Sequence, residues 1–256
     1  MSFPSRKALF AGFLCLTAFA LPVRANEFNA AQKSEIESII HSYLLDHPEV
    51  LREVSVELEK KQQAEEADLR RRAIEQNRDA LVNNTFQGVV GNPKGKITLV
   101  EFFDYNCGYC KRAFGDMVNL IKAEPELRVV LMDFPVLGAD SLEAAQVAAA
   151  VRKQISGDKF FDYHQKLLTG SHGRVGRDQA LAVAKDMGLD MDKLQKDMKD
   201  PSIHAGISET MKVADALSLT GTPSYVIGDE AIVGAVGFKQ LKPLVDSMAK
   251  CGKTVC

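Results

Sequence analysis

Apolar residues at Ile36, Ile39, Ile40, Tyr43 and Leu44 fall at i, i+3, i+4, i+7 and i+8, the spacing of one helical face. Asn29 and Gln32 stand where a capping box would open that helix. Pro48 suits the first turn of a second helix, capped by Asp46 or His47, and Val50, Leu51, Val54 and Leu58 continue an apolar stripe. Glu59 to Glu66 is almost wholly polar, which predicts a solvated helix or a linker. Ala67, Ile74 and Leu81 then recur at seven-residue spacing. A segment this thin cannot bury its own stripe. It must dock on the rest of the chain or on copies of itself, and self-association is the expectation.

Gly91-Asn92-Pro93-Lys94-Gly95 marks a turn. The β-branched and aromatic run Ile97–Phe103 predicts a buried strand, a helix follows from about Cys107 to Ala123, and Leu127–Met132 predicts a second strand. Strand, helix, strand in that order implies a right-handed parallel unit. Helical patterns fill Leu142–Gln154, Phe160–Leu168, Asp178–Met187, Asp192–Lys199 and Ser202–Leu219. Ser224–Ile227 and Ala231–Gly234 read as short strands joined at Gly228-Asp229-Glu230, and Phe238–Lys250 as a closing helix. The fold class is α/β: a βαβ half and a ββα half flank a helical insertion over about 139–219.

Composition changes this picture at the N-terminus. Arg6 and Lys7 precede an apolar run, Ala8–Leu21, and Val23-Arg24-Ala25 offers small residues for cleavage. The run is about 14 residues, short of the roughly 20 that span a bilayer, so residues 1–25 read as a cleaved secretory signal peptide rather than an anchor. Cys15 lacks the small residue expected before a lipidated cysteine. Residues 26–85 then form a helical oligomerisation stalk and linker, and 86–256 the main domain. The full chain has 32 basic and 34 acidic residues; cleavage removes Arg6, Lys7 and Arg24, taking the net charge from −2 to −5, so nothing points to nucleic acid. Apolar residues at 46% exclude disorder. Of five cysteines, Cys107, Cys110, Cys251 and Cys256 remain, spaced as two local pairs, and an even count in an exported chain suggests pairing.

Cys107-Gly108-Tyr109-Cys110 follows a buried strand and opens a helix. A helix N-terminus presents unpaired N–H groups and the positive end of a dipole, both of which favour a thiolate. Cys107 is therefore the candidate nucleophile. Cys110, one helical turn later, is the candidate resolving thiol. A zinc site would need two further ligands, which the neighbouring sequence does not supply. Glu101 sits inside an apolar run, where burial would raise its pKa. Cys251 and Cys256 read as a structural disulfide pinning the C-terminal tail, with Gly252 permitting the tight loop. His41, His47, His164, His172 and His204 show no ligand spacing, and Met187, Met191 and Met198 read as packing residues rather than copper ligands. No metal and no cofactor is expected.

The run LVEFFDYNCGYCKRAF, the helical insertion, the Gly221-Thr222-Pro223 element and the final hairpin and helix resemble the DsbA family of bacterial thiol–disulfide oxidoreductases over about Gly88–Gly252. The N-terminal helices resemble the oligomerising stalk of ScsC-type (suppressor of copper sensitivity) disulfide isomerases. The resemblance implies a thioredoxin-like fold, a cis Thr222–Pro223 bond facing the dithiol, a substrate strand held by Thr222, Pro223, Gly108 and Tyr109, and proton transfer assisted by Glu101. It also implies periplasmic location, trimeric assembly, misoxidised exported proteins as substrates, a membrane thiol reductase as partner, and a link to copper tolerance. Gly108-Tyr109 replaces the Pro-His dipeptide of the family's best-known oxidases. A histidine there favours the thiolate, so its loss implies a less oxidising pair, as in isomerases. The expected function is a disulfide isomerase or reductase. A dithiol oxidase and a copper-binding periplasmic chaperone are the alternatives.

Overall fold

A computed structural model describes residues 28–83, 86–170 and 173–256. The proposed signal peptide and His172 lie outside the described residues. The chain divides into two compact units, the first ending at Leu58 and the second running Glu59–Cys256.

The first unit holds α1 (Ala30–Asp46) and the beginning of α2 (Glu49–Gln76). The capping box at Asn29 forms: Gln32 N–H donates to Asn29 Oδ1 at 2.9 Å, and Asn29 N–H to Gln32 Oε1 at 3.0 Å. No residue of α1 is buried. Ile39, Ile40, Tyr43, Leu51, Val54 and Leu58 are all exposed, so the stripe that makes the helix amphipathic has no partner within this unit.

The second unit is built on a five-stranded sheet in the order β1-β3-β2-β4-β5. Its strands are β1 (Gly88–Gly91), β2 (Ile97–Phe103), β3 (Leu127–Asp133), β4 (Ser224–Ile227) and β5 (Glu230–Val233). β2 and β3 are parallel, joined through α4 (Gly108–Ala123), and the other pairs are antiparallel. Between β3 and β4 lie α5 (Ala139–Val151), α6 (Gly157–Thr169), α7 (Arg177–Asp186), α8 (Met191–Asp197) and α9 (Pro201–Ala216). α3 (Arg78–Val82) precedes the sheet and α10 (Phe238–Cys251) follows it.

Side chains of a strand alternate between faces, and β2 divides accordingly. Leu99 and Phe103 enter the larger apolar cluster with Phe114, Leu120, Phe160 and Leu241. Val100 and Phe102 enter a second cluster with Ile74, Leu81, Val130, Met132 and Val213. Glu101 therefore belongs to the face that α4 and α10 cover.

Two features differ from the sequence reading. No strand was expected at Gly88–Gly91, because two valines between glycines carry no period; pairing with β3 makes this segment a strand. The expected stalk boundary at residue 85 does not coincide with the division after Leu58. Ile74 and Leu81 dock in cis on the sheet face of the second cluster, which ties the end of α2 and all of α3 to the main domain. Arg71 of α2 reinforces this, its Nε 3.2 Å from Asp229 Oδ2 in the β4–β5 turn. Met187, Met191 and Met198 pack against the large cluster.

Asp133 ends β3 as a buried carboxyl paired with the Arg152 guanidinium, whose Nε also donates to Phe86 O at 3.0 Å. The sequence alone did not single out this pair. Truncating Leu81 to alanine is expected to lower unfolding stability by about 2–4 kcal/mol, read as a fall in urea midpoint. An unchanged midpoint would show that α3 contributes nothing to the core.

Candidate active site

β2 ends at Phe103 and α4 begins at Gly108, so Asp104–Cys107 form the turn between them. Cys107 is the N-cap, in extended conformation with φ −76° and ψ 116°. Its sulfur thus sits where the first N–H groups of the helix have no carbonyl partner. Both Cys107 and Cys110 are free thiols; Cys107 is 7% exposed and Cys110 is fully buried.

The two sulfurs are electrostatically unequal. The Cys107 pKa is lowered to about 5, first by the hydrogen bond from the Cys110 thiol. Desolvation opposes this, and the Thr222 side chain and the backbone N–H groups of Cys110 and Tyr109 assist it. The same hydrogen bond between the two thiol groups pushes Cys110 strongly upward, and burial and the charges of Glu101 and Cys107 push it further. While Cys107 remains a thiol, it donates to the Thr222 carbonyl at 3.1 Å. That contact favours the neutral form and is given up on ionisation.

Glu101 lies on β2 opposite Leu131 of β3 and Tyr225 of β4. It is 3% exposed, and burial raises its pKa to about 8. Its Oε2 has no hydrogen-bond partner among the described residues. Thr222–Pro223 is a cis peptide leading into β4, and Gly234 N–H donates to Pro223 O at 2.8 Å. The fold therefore assembles Cys107, Cys110, Glu101, Thr222 and Pro223 at one end of β2 and β4. Gly108 and Tyr109 are exposed at the lip, with the Arg112 guanidinium 4.3 Å above the Tyr109 ring. Cys251 and Cys256 are joined in a disulfide after α10 and take no part in this constellation.

Sequence reasoning missed the residues that fix the turn. Asp104 is buried, and its carboxylate accepts from Asn106 N–H at 2.8 Å, Ser141 Oγ at 2.7 Å and Leu137 N–H at 3.0 Å. Its carbonyl accepts from Cys107 N–H at 3.0 Å. Asn106 grips Val175 at two points, donating to its carbonyl at 2.8 Å and accepting from its N–H at 2.7 Å, and also donates to Ser141 Oγ at 3.0 Å. His164 is enclosed by Phe103, Tyr105, Phe114 and Phe160, and burial lowers its pKa to about 3, so it stays neutral. An Asp-x-Asn ahead of the dithiol was the visible signal, since both side chains favour turns.

Comparison with known proteins agrees with this geometry. Residues 98–246 match the DSBA-like thioredoxin domain family, and residues 32–65 match the copper resistance protein ScsC N-terminal domain. The chain belongs to the DSBA-like thioredoxin family. A thioredoxin-like oxidoreductase from Silicibacter pomeroyi DSS-3 is 40% identical, covering 68% of this chain and 99% of that one, with TM-score 0.64. The thiol-disulfide exchange protein alpha-DsbA2 from Wolbachia pipientis is 30% identical over 71% of this chain and 97% of its own, with TM-score 0.66. A linker-deletion mutant of Proteus mirabilis ScsC is 26% identical over 89% of this chain and 99% of its own, with TM-score 0.65. The chain spans about a quarter of the length of the first curated relatives it matches: Na(+)/H(+) antiporter NhaA 1 of Salinispora arenicola is 28% identical over 161 residues, 24% of that protein.

Three outcomes follow from this site geometry. The alkylation rate of the reduced protein is expected to rise with a midpoint near pH 5 and to level off above it; a midpoint at 8 or higher contradicts the site. A depressed thiol pKa contributes stability that is complete above the unfolded value of about 9 and disappears as pH falls through 5. The dithiol protein, compared with Cys107→Ser, should accordingly lose its advantage over that window. Asn106→Ala leaves both Val175 backbone groups without their partner and is expected to cost about 1–3 kcal/mol of unfolding stability, measured by denaturant titration.

Proposed function

We propose that this chain is a periplasmic thiol–disulfide oxidoreductase that acts as a protein disulfide isomerase or reductase through Cys107 and Cys110. The observation that carries the reading is the sulfur pair itself: one thiol lowered to about 5 at a helix start, the other buried and held protonated beneath it.

The Cys107 thiolate attacks one sulfur of a substrate disulfide. A Cys107–substrate bond forms, and the other substrate sulfur leaves as a thiolate. In isomerisation, a different substrate thiolate attacks the substrate sulfur of the mixed disulfide, which forms a new substrate disulfide and expels Cys107 as the anion. In reduction, Cys110 gives up its proton and attacks the Cys107 sulfur, which forms the Cys107–Cys110 disulfide and releases reduced substrate. Glu101, lifted to about 8 and electrostatically coupled to Cys110, is the base for that proton. Thr222 and Pro223 hold the substrate strand beside Cys107, with Gly108 and Tyr109 at its edge.

A membrane thiol reductase returns the pair to the dithiol, and misoxidised exported proteins are the substrates. The exposed stripe from Ile36 to Leu58 supports self-association, and the ScsC likeness at residues 32–65 supports a trimer with a link to copper tolerance. Among the described residues no helix is long and apolar enough to cross a membrane. A second reading, dithiol oxidase, is favoured by the lowered Cys107 pKa, since a stabilised thiolate makes the disulfide a better oxidant.

Removing residues 26–58 from the chain as it stands after Ala25 should give a monomer that still exchanges thiols but no longer reactivates scrambled ribonuclease. Unchanged mass and isomerase activity would overturn the assembly. Trapping thiols in cells separates the directions: a mostly reduced pair fits the isomerase and a mostly oxidised pair the oxidase.

A further inference from the structure

We infer that Arg112, stacked on Tyr109, selects polypeptide substrates that carry a carboxylate side chain next to the cysteine presented to Cys107. The inference rests on the dithiol exchange proposed above and names the substrate class of that site.

Arg112 lies one turn into α4, and its side chain folds back toward the helix start, as long helical side chains do. Its Cζ stands 4.3 Å from the centre of the Tyr109 ring. Its Nη1 is 3.7 Å from the point that a Cβ on Gly108 would occupy. Gly108 directly follows the nucleophile, so the guanidinium stands beside the first residue after Cys107.

The charge is of the wrong sign for its place. A helix N-terminus favours acidic side chains and disfavours cations, yet α4 has no acid in its first turn, and Lys111 and Arg112 follow at the end of that turn. Residues that break a local rule without local compensation concentrate at functional sites. Arg112 also has no carboxylate within ion-pairing distance among the described residues, in a chain with more acidic than basic residues. Some other exposed arginines do find one: Arg72 pairs with Asp68, Arg78 with Glu75 and Arg174 with Asp140. Nor is the charge taken up by the nucleophile, whose lowered pKa comes from hydrogen bonds of Cys110, Thr222 and Tyr109. The guanidinium is thus held in place by an aromatic face with its donors free, and carboxylate is the group its planar fork fits.

The test uses the reduced full chain and three disulfide-bonded peptides that differ only in the residue beside the reactive cysteine: glutamate, glutamine or lysine. At low salt the glutamate peptide should react faster than the lysine peptide by roughly two- to five-fold, the size of one exposed ion pair, and the gap should close as salt is added. Arg112→Ala should abolish the preference while leaving the glutamine rate and the Cys107 titration unchanged, and Arg112→Glu should reverse it. Tyr109→Leu should weaken it by freeing the guanidinium. Equal rates for all three peptides with the unaltered chain would overturn the inference and leave the dithiol chemistry standing. So would an Arg112→Ala protein that slows every peptide alike with an upward shift of Cys107. Failure to reduce any of the peptides would remove the exchange chemistry and this inference with it.

Discussion

A sulfur anion is stable at this site because a helix begins there and a second sulfur lends it a proton. The second condition makes the first selective. Cys110 can donate to Cys107 only while Cys110 is itself neutral, and its burial beside the Glu101 carboxyl keeps it so. The pair therefore has one reactive member. That inequality depends on burial, and both cysteines belong to the large apolar cluster that also holds Phe103 of β2 and Phe114 of α4. It depends equally on the four-residue turn between strand and helix being held still. Asp104 collects three donors and Asn106 clasps Val175, so the turn is fastened to the start of the helical insertion and to the loop before α7 within it. In this arrangement the insertion is more than a cover for the sheet, because it positions the nucleophile through residues that never touch it.

What could be read from the sequence followed the range of the interactions. The dithiol was legible because both cysteines and the helix start lie within one turn. β2 and β3 were legible because strands buried on both faces are written as unbroken apolar runs. Glu101 stood out as a charge in the middle of the β2 run. β1 was not legible, since Val89 and Val90 between two glycines acquire strand geometry only from β3. The roles of Asp104 and Asn106 were hidden for the same reason, their partners being 37, 35 and 69 residues away. The Asp133–Arg152 pair is joined across 19 residues and a change of element. Ile74 and Leu81 were visible as a seven-residue repeat, but a repeat states only that a face must be covered, and here the cover is the sheet.

The titration of the pair bears on its direction of action more than its motif does. A lowered pKa makes Cys107 an available nucleophile near neutral pH and also a good leaving group from a mixed disulfide, because the better-stabilised thiolate departs faster. Both an oxidase and an isomerase use that property. They differ in what happens to the mixed disulfide next. Resolution by Cys110 requires removal of a proton that burial and the Glu101 charge help to retain, the Cys107 anion being absent from the mixed disulfide. With Glu101 itself raised to about 8, only a minor fraction of that carboxyl is ionised and able to take the proton near pH 7. On the isomerase reading proposed above, intramolecular escape through Cys110 is slowed to that extent, and a substrate bonded to Cys107 gains time for one of its own thiolates to attack. Slow resolution combined with a fast leaving group is the kinetic arrangement that lets wrong disulfides be exchanged instead of merely cut.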